Sequence, residues 1–248
     1  MSIRRFRCGV LLAPTCLTLL LGLAESAHAA TFNVAADFSF SNNPNGVWSY
    51  NAGSTPLPAA FPDWGGITGE TFWAPSANQV PLWTRAQTTP SFASDWLPGD
   101  AIVHATTPSS GIGLANVTWT SPMHGTIDIS GRIWDAFHYP DRDDRWALML
   151  NGTVIAERAT IRGIRRGDAE AELAFNLVTG QSLTGVPVNV GDVLTFETEA
   201  LTLAGHFLGV DLTVDATPGT VPEPASVLLL ASGLGGLLLA RARRNKTN

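Results

Sequence analysis

The chain has 248 residues, a formal charge of −6 and a mean hydropathy of +0.13. Setting aside Arg4, Arg5, Arg7 and Glu25 at one end, and Glu223, Arg241, Arg243, Arg244 and Lys246 at the other, leaves eight Arg, no Lys and 19 acidic residues, a charge near −11 over residues 30–220. That balance argues against nucleic acid or an anionic membrane as partner, because an acidic surface repels phosphates instead of displacing their counterions.

The first element in chain order is an export signal. Arg4, Arg5 and Arg7 precede a mostly apolar run over residues 10–23, and Ala27-His28-Ala29 puts small residues where a signal peptidase reads. This pattern predicts a signal peptide, residues 1–29, cut after Ala29. The run is short and broken by Pro14, unlike a retained anchor. Cys8 and Cys16, the two cysteines of the chain, both lie inside it. The exported chain would therefore carry no disulfide and depend on its core alone. What remains before the tail, residues 30–216 with a linker at 217–221, suits one domain with a sizeable core.

That domain reads as β throughout. Helical periodicity is absent, and Gly, Pro, Asn, Asp, Ser and Thr punctuate the chain about every 8–12 residues. Residues 42–98, rich in Pro, Gly, Ser and Trp, read as long loops over a few short strands. Residues 117–120 and 125–134 read as a strand pair joined at Ser121-Pro122. In the second of these, Ile127, Ile129, Gly131 and Ile133 share one face and Asp128, Ser130, Arg132 and Trp134 the other, the period of a half-buried strand. Residues 145–150 and 153–158 flank Asn151-Gly152, which supplies the two positive-φ positions of a type I′ hairpin. Further strands are expected at 172–178, at 193–198 after Gly191-Asp192, and at 206–214. The sum is an all-β domain of antiparallel strands.

Chemistry-bearing residues are few. All eight Trp fall within residues 48–146. Trp119, Trp134 and Trp146 sit on strands and are expected in the core. Trp64, Trp73, Trp83 and Trp96 sit in the loop-rich segment, where exposed rings could stack on the apolar faces of sugars. Asp141, Asp143 and Asp144 put three hard oxygen ligands on one loop and could hold a structural Ca²⁺, although the Gly and distal Glu of an EF-hand are missing and Arg142 and Arg145 could neutralise the acids instead. No other cofactor is expected. No nucleophile elbow, His-Glu-x-x-His, phosphate loop or reactive thiol is present. Glu197 and Glu199 would share one sheet face, and Arg162, Arg165 and Arg166 read as a solvated basic loop offset by Asp168, Glu170 and Glu172.

The tail, residues 222–248, is Pro222-Glu223-Pro224, an uncharged apolar segment at 225–240 expected as a helix, and a basic end with Arg241, Arg243 and Arg244. It resembles the PEP-CTERM sorting signal of Gram-negative bacteria. The resemblance implies export, cleavage near Pro-Glu-Pro by an exosortase-type membrane enzyme after signal peptidase, and transfer from the inner membrane to the cell surface or matrix, with transient membrane association through the tail. A plain membrane anchor is the other reading of the tail. Within the domain, residues 37–40, 43–50, 117–122, Asn151-Gly152 and 190–193 resemble, in the same order, jelly-roll domains of exported PEP-CTERM proteins, which look like carbohydrate-binding modules. The resemblance implies a jelly-roll sandwich. It also implies a non-catalytic role in the matrix or envelope, with extracellular polysaccharide as a partner. A purely structural or adhesion protein and a polysaccharide-active enzyme of the lectin-like sandwich type are the alternatives.

Overall fold

A computed structural model describes residues 29–92, 95–137 and 139–219. Residues 1–28, expected to form the signal peptide, and Pro222, Glu223, Pro224, the 225–240 segment, Arg241, Arg243 and Arg244 lie outside the described residues. Ala29 itself is exposed, one residue before the first strand. No helix among the described residues is long and apolar enough to cross a membrane.

The described chain is all-β, and its two antiparallel sheets pack face to face. Numbered in chain order, the larger sheet holds β1 (Ala30–Asn33), β4 (Ala59–Trp64), β5 (Ile67–Ala74), β6 (Leu82–Arg85), β7 (Ala101–His104), β9 (Gly125–Asp135), β12 (Val186–Val188) and β14 (Phe207–Pro218). Its order is β12-β9-β14-β7-β6-β5-β4, with β1 beside the far half of β14. The smaller sheet runs β11-β10-β13-β8-β2-β3, from β2 (Trp48–Ala52), β3 (Thr55–Pro56), β8 (Ala115–Thr120), β10 (Asp144–Leu150), β11 (Thr153–Arg158) and β13 (Val193–Ala200). From β7 onward the chain changes sheet at every step except the β10–β11 hairpin.

Period-two alternation decides which side chains meet between the sheets. Ile127, Ile129 and Ile133 of β9 point inward with Val210, Leu212 and Val214 of β14, against Val117, Trp119, Leu148 and Phe196 of the smaller sheet. Trp83 bridges the layers, its ring 5.6 Å from Tyr50 and 6.3 Å from Phe196. The larger sheet is also covered on its outer face. Every residue of β7 is buried: Ala101 and Val103 face the main core, while Ile102 packs with Leu82, Phe72, Trp96, Trp134 and Phe207 in a second one. A strand buried on both faces reads as a continuous apolar run. The loops that carry Trp96 and Ile164 close this second core, and Arg166 fastens them. Its guanidinium lies 4.1 Å from the Trp134 ring centroid, with Asp95 at 3.1 Å and Asp100 at 2.5 Å.

The type I′ expectation holds at Asn151 (φ 49°) and Gly152 (φ 79°), which join β10 to β11. Three expectations change. β8 and β9 do not pair: Ser121-Pro122 carries the chain from one sheet to the other, and their partners are β2 and β13, and β12 and β14. Residues 172–178 form no strand. Two 3₁₀ turns, Ala169–Ala171 and Leu173–Asn176, take their place, because Asn176 turns back to donate to the carbonyls of Glu170 and Glu172 while Ala171 and Leu173 bury. Residues 42–98 hold more strand than expected, β2 to β6.

Candidate functional site

One end of the sandwich gathers three turns: the segment after β7, the 139–142 turn before β10, and the 201–205 turn between β13 and β14. With the end of β4 they enclose a concavity of about 330 Å³ whose walls include Trp64, His104, Thr107, Ser110, Arg142 and Leu203. Trp64 is half-buried, 5.2 Å from the His104 ring and edge-on to Phe207 at 5.6 Å. The His104 Nδ1 lies 2.8 Å from the Ala105 carbonyl. Donation there leaves Nε2 as the ring's acceptor. Burial lowers the His104 pKa to about 4, so the imidazole is neutral at pH 7. Arg142 donates from Nη1 to the Gly205 carbonyl at 3.1 Å and stacks 4.8 Å from the centroid of Tyr139, a ring that is itself exposed.

A buried polar knot lies behind that wall. The Asp144 carboxyl accepts the His206 N–H at 2.9 Å and sits 3.6 Å from His206 Nδ1, with neither side chain exposed. His206 Nε2 lies 3.0 Å from the Tyr139 carbonyl, and Asp135 accepts the Gly163 N–H at 2.9 Å. Burial, ahead of the backbone hydrogen bond that opposes it, pushes Asp144 up to about 8, and burial lowers His206. The pair is a neutral acid beside a neutral imidazole. It ties the starts of β10 and β14 together at the pocket end.

This arrangement places the expected calcium ligands apart. Asp141 is exposed. Asp143 caps the 160–162 turn, accepting from the Thr160 hydroxyl and from the N–H groups of Ile161 at 3.2 Å and Arg162 at 3.1 Å. Asp144 points into the knot, since consecutive residues entering a strand face opposite sides. Among the described residues no group of three His, Cys, Asp or Glu is arranged to hold a metal ion.

The four loop tryptophans also divide. Trp83 lies between the sheets, Trp73 donates from Nε1 to the Ser39 carbonyl at 2.7 Å, and Trp96 packs 5.1 Å from Phe207. All three are buried, 5% exposed or less, so none presents a face to a sugar. The loop-rich segment wraps the larger sheet instead of standing off it. Trp64, half-buried, lines the end concavity.

A second concavity, about 370 Å³, crosses the outer face of the smaller sheet. The ladder aligns Asn116, Glu197, Ala147 and Glu157 in one outward row, with Glu199 and Arg145 paired in the next. Ala147 leaves a gap between the two carboxylates of its row. Partial burial and then the neighbouring Glu199 charge raise the Glu197 pKa.

Sequence reasoning singled out the acidic turn around Asp143 and Asp144 but missed Arg142 as a pocket group; the signal was its position inside that turn. No protein-family model matches the chain, and no curated protein matches it.

Proposed function

We propose that this chain is an exported, surface-sorted protein of the extracellular matrix or cell envelope that binds polysaccharide without transforming it, on a jelly-roll sandwich. The sheet-to-sheet crossing of almost every strand after β7 supports the jelly-roll reading. The leader, cut after Ala29, and the Pro222-Glu223-Pro224 tail support export and sorting. The observation that carries the binding role is the end pocket, where Trp64 offers an aromatic wall beside a cation, a neutral imidazole and hydroxyls. Sugars need that mixture: a ring for their C–H face and a few placed polar groups for their hydroxyls. Screening the exported protein on a broad glycan array tests it. Binding that is lost in Trp64→Ala supports the reading, and no binding to any glycan leaves a structural matrix or adhesion role.

One observation favours a second reading, hydrolysis of the polysaccharide. Glu197 and Glu157 lie two strands apart in one outward row, roughly 10 Å between backbones at the usual strand spacing. Inverting glycosidases hold their two carboxyls about 6.5–9.5 Å apart, with one pKa raised. Release of reducing sugar that disappears in both Glu157→Gln and Glu197→Gln would establish this activity.

A further inference from the structure

Resting on that polysaccharide-binding reading, we propose that the end pocket selects a sugar carrying a carboxylate, a uronate, and that Arg142 is the group that recognises the acid. Charge placement is the first support. The domain carries 19 acidic residues against eight Arg, yet the walls of this pocket hold one cation and no carboxylate. The trough on the smaller sheet carries Glu157, Glu197 and Glu199 beside its arginines, and the concavity near Trp134 carries Asp100 and Asp211 beside Arg132 and Arg166. Around both, three of the four arginines already have carboxylate partners: Arg145 pairs with Glu199, Arg132 with Glu172, and Arg166 with Asp95 and Asp100, while Arg158 is taken up by the Thr160 carbonyl and the Asn176 side-chain oxygen. Arg142 forms no such ion pair among the described residues.

Preorganisation is the second support. Arg142 is held by the Gly205 carbonyl and by the Tyr139 ring, while its other guanidinium N–H groups have no protein acceptor among the described residues. A fixed, planar fork of N–H donors matches a carboxylate in a two-point contact that a sugar hydroxyl cannot reproduce. His104 Nε2 is the acceptor for a hydroxyl, and the ring face rests on Trp64. The acidity of the surrounding domain disfavours a densely charged polymer at long range, but that repulsion is screened over about 8 Å at physiological salt. The pocket therefore suits one acidic residue or a chain end.

NMR titration of the exported protein with sodium glucuronate, glucose and sodium acetate, at matched ionic strength, tests this. Glucuronate is expected to bind about ten-fold or more tighter than glucose, the size of one charge-assisted contact. Acetate, lacking the ring, is expected to bind more weakly than glucuronate. Arg142→Gln should erase the preference for the acid. Leu203→Glu places a negative charge at a fully exposed rim position. It should weaken glucuronate far more than glucose at unchanged thermal stability, so the ratio of the two affinities decides the matter even where Arg142→Gln misfolds. Equal affinity for glucuronate and glucose, acetate as tight as glucuronate, or full preference retained in Leu203→Glu overturns the selection of an acid. Absence of binding by both sugars rejects the polysaccharide reading beneath it.

Discussion

The indole of Trp134 lies directly against Gly209 on the neighbouring strand: a methyl group at that glycine would come within 2.0 Å of the ring. The contact matters because the same ring carries Arg166 and, through it, the loops that hold Asp95 and Asp100. Gly209→Ala must displace Trp134, and the Arg166 clamp with it. Overpacking of this kind costs about 1–3 kcal/mol. A thermal melt should show a clear fall in Tm with the fold retained; an unchanged Tm would mean that the indole has room to move.

The tryptophans give a paired prediction. Trp83→Ala removes a side chain of zero exposure between the sheets and should cost about 3–5 kcal/mol. Trp64→Ala takes away a half-buried pocket wall and should cost less stability while weakening glycan binding. Denaturant titration of both variants, beside a binding measurement on Trp64→Ala, separates the roles. The reverse order of stability losses would place the rings wrongly.

Stability should fall between pH 6.5 and 8. Asp144 keeps its proton in the folded chain up to about pH 8, against 3.8 for an ordinary aspartate. The folded state thus binds more protons than the unfolded state across that interval, and stability drops as pH rises. His104 has the opposite sign: lowered to about 4, it costs stability as pH falls from 6.5 toward 4. Above 6.5 the Asp144 effect stands alone of these two, on the order of 2 kcal/mol in all by pH 8. Asp144→Asn should flatten the profile between pH 6.5 and 8; an equally steep decline in that variant would assign the slope to another group.

Processing is read by mass. Intact-mass measurement of the extracellular protein should give a chain that begins at Ala30 and ends between residues 221 and 224. A chain that still carries residues 228–248 rejects cleavage at the tail and leaves a membrane anchor.

What the sequence made legible follows the range of the interactions. Asn151-Gly152 is a local instruction, and the hairpin is there. The alternation at Ile127, Ile129 and Ile133 is also local, and it orients β9 correctly. The pairing of β8 with β9 failed because Ser121-Pro122 signals a change of direction without saying that the chain changes sheet. Residues 172–178 alternate like a strand, but the side chain of Asn176 satisfies backbone carbonyls that a ladder would otherwise need. The exposure of Trp73, Trp83 and Trp96 depends on loops folding back over the larger sheet, which no local pattern records. The acidic turn was visible as a polar cluster, and its use was not: Asp144 needed His206, 62 residues away, to become part of a buried knot.

The pairing of β1 with β14 has a kinetic consequence. Thr31 reaches Asp215 across 184 residues, and β14 lies between β9 and β7. As the chain emerges from its N-terminus, the larger sheet has a gap at its centre until residues 207–218 arrive. Contacts so distant in sequence make folding slow. A chain whose middle strand is made last stays open while it is being synthesised, which is the state in which a polypeptide can be threaded through a translocation pore.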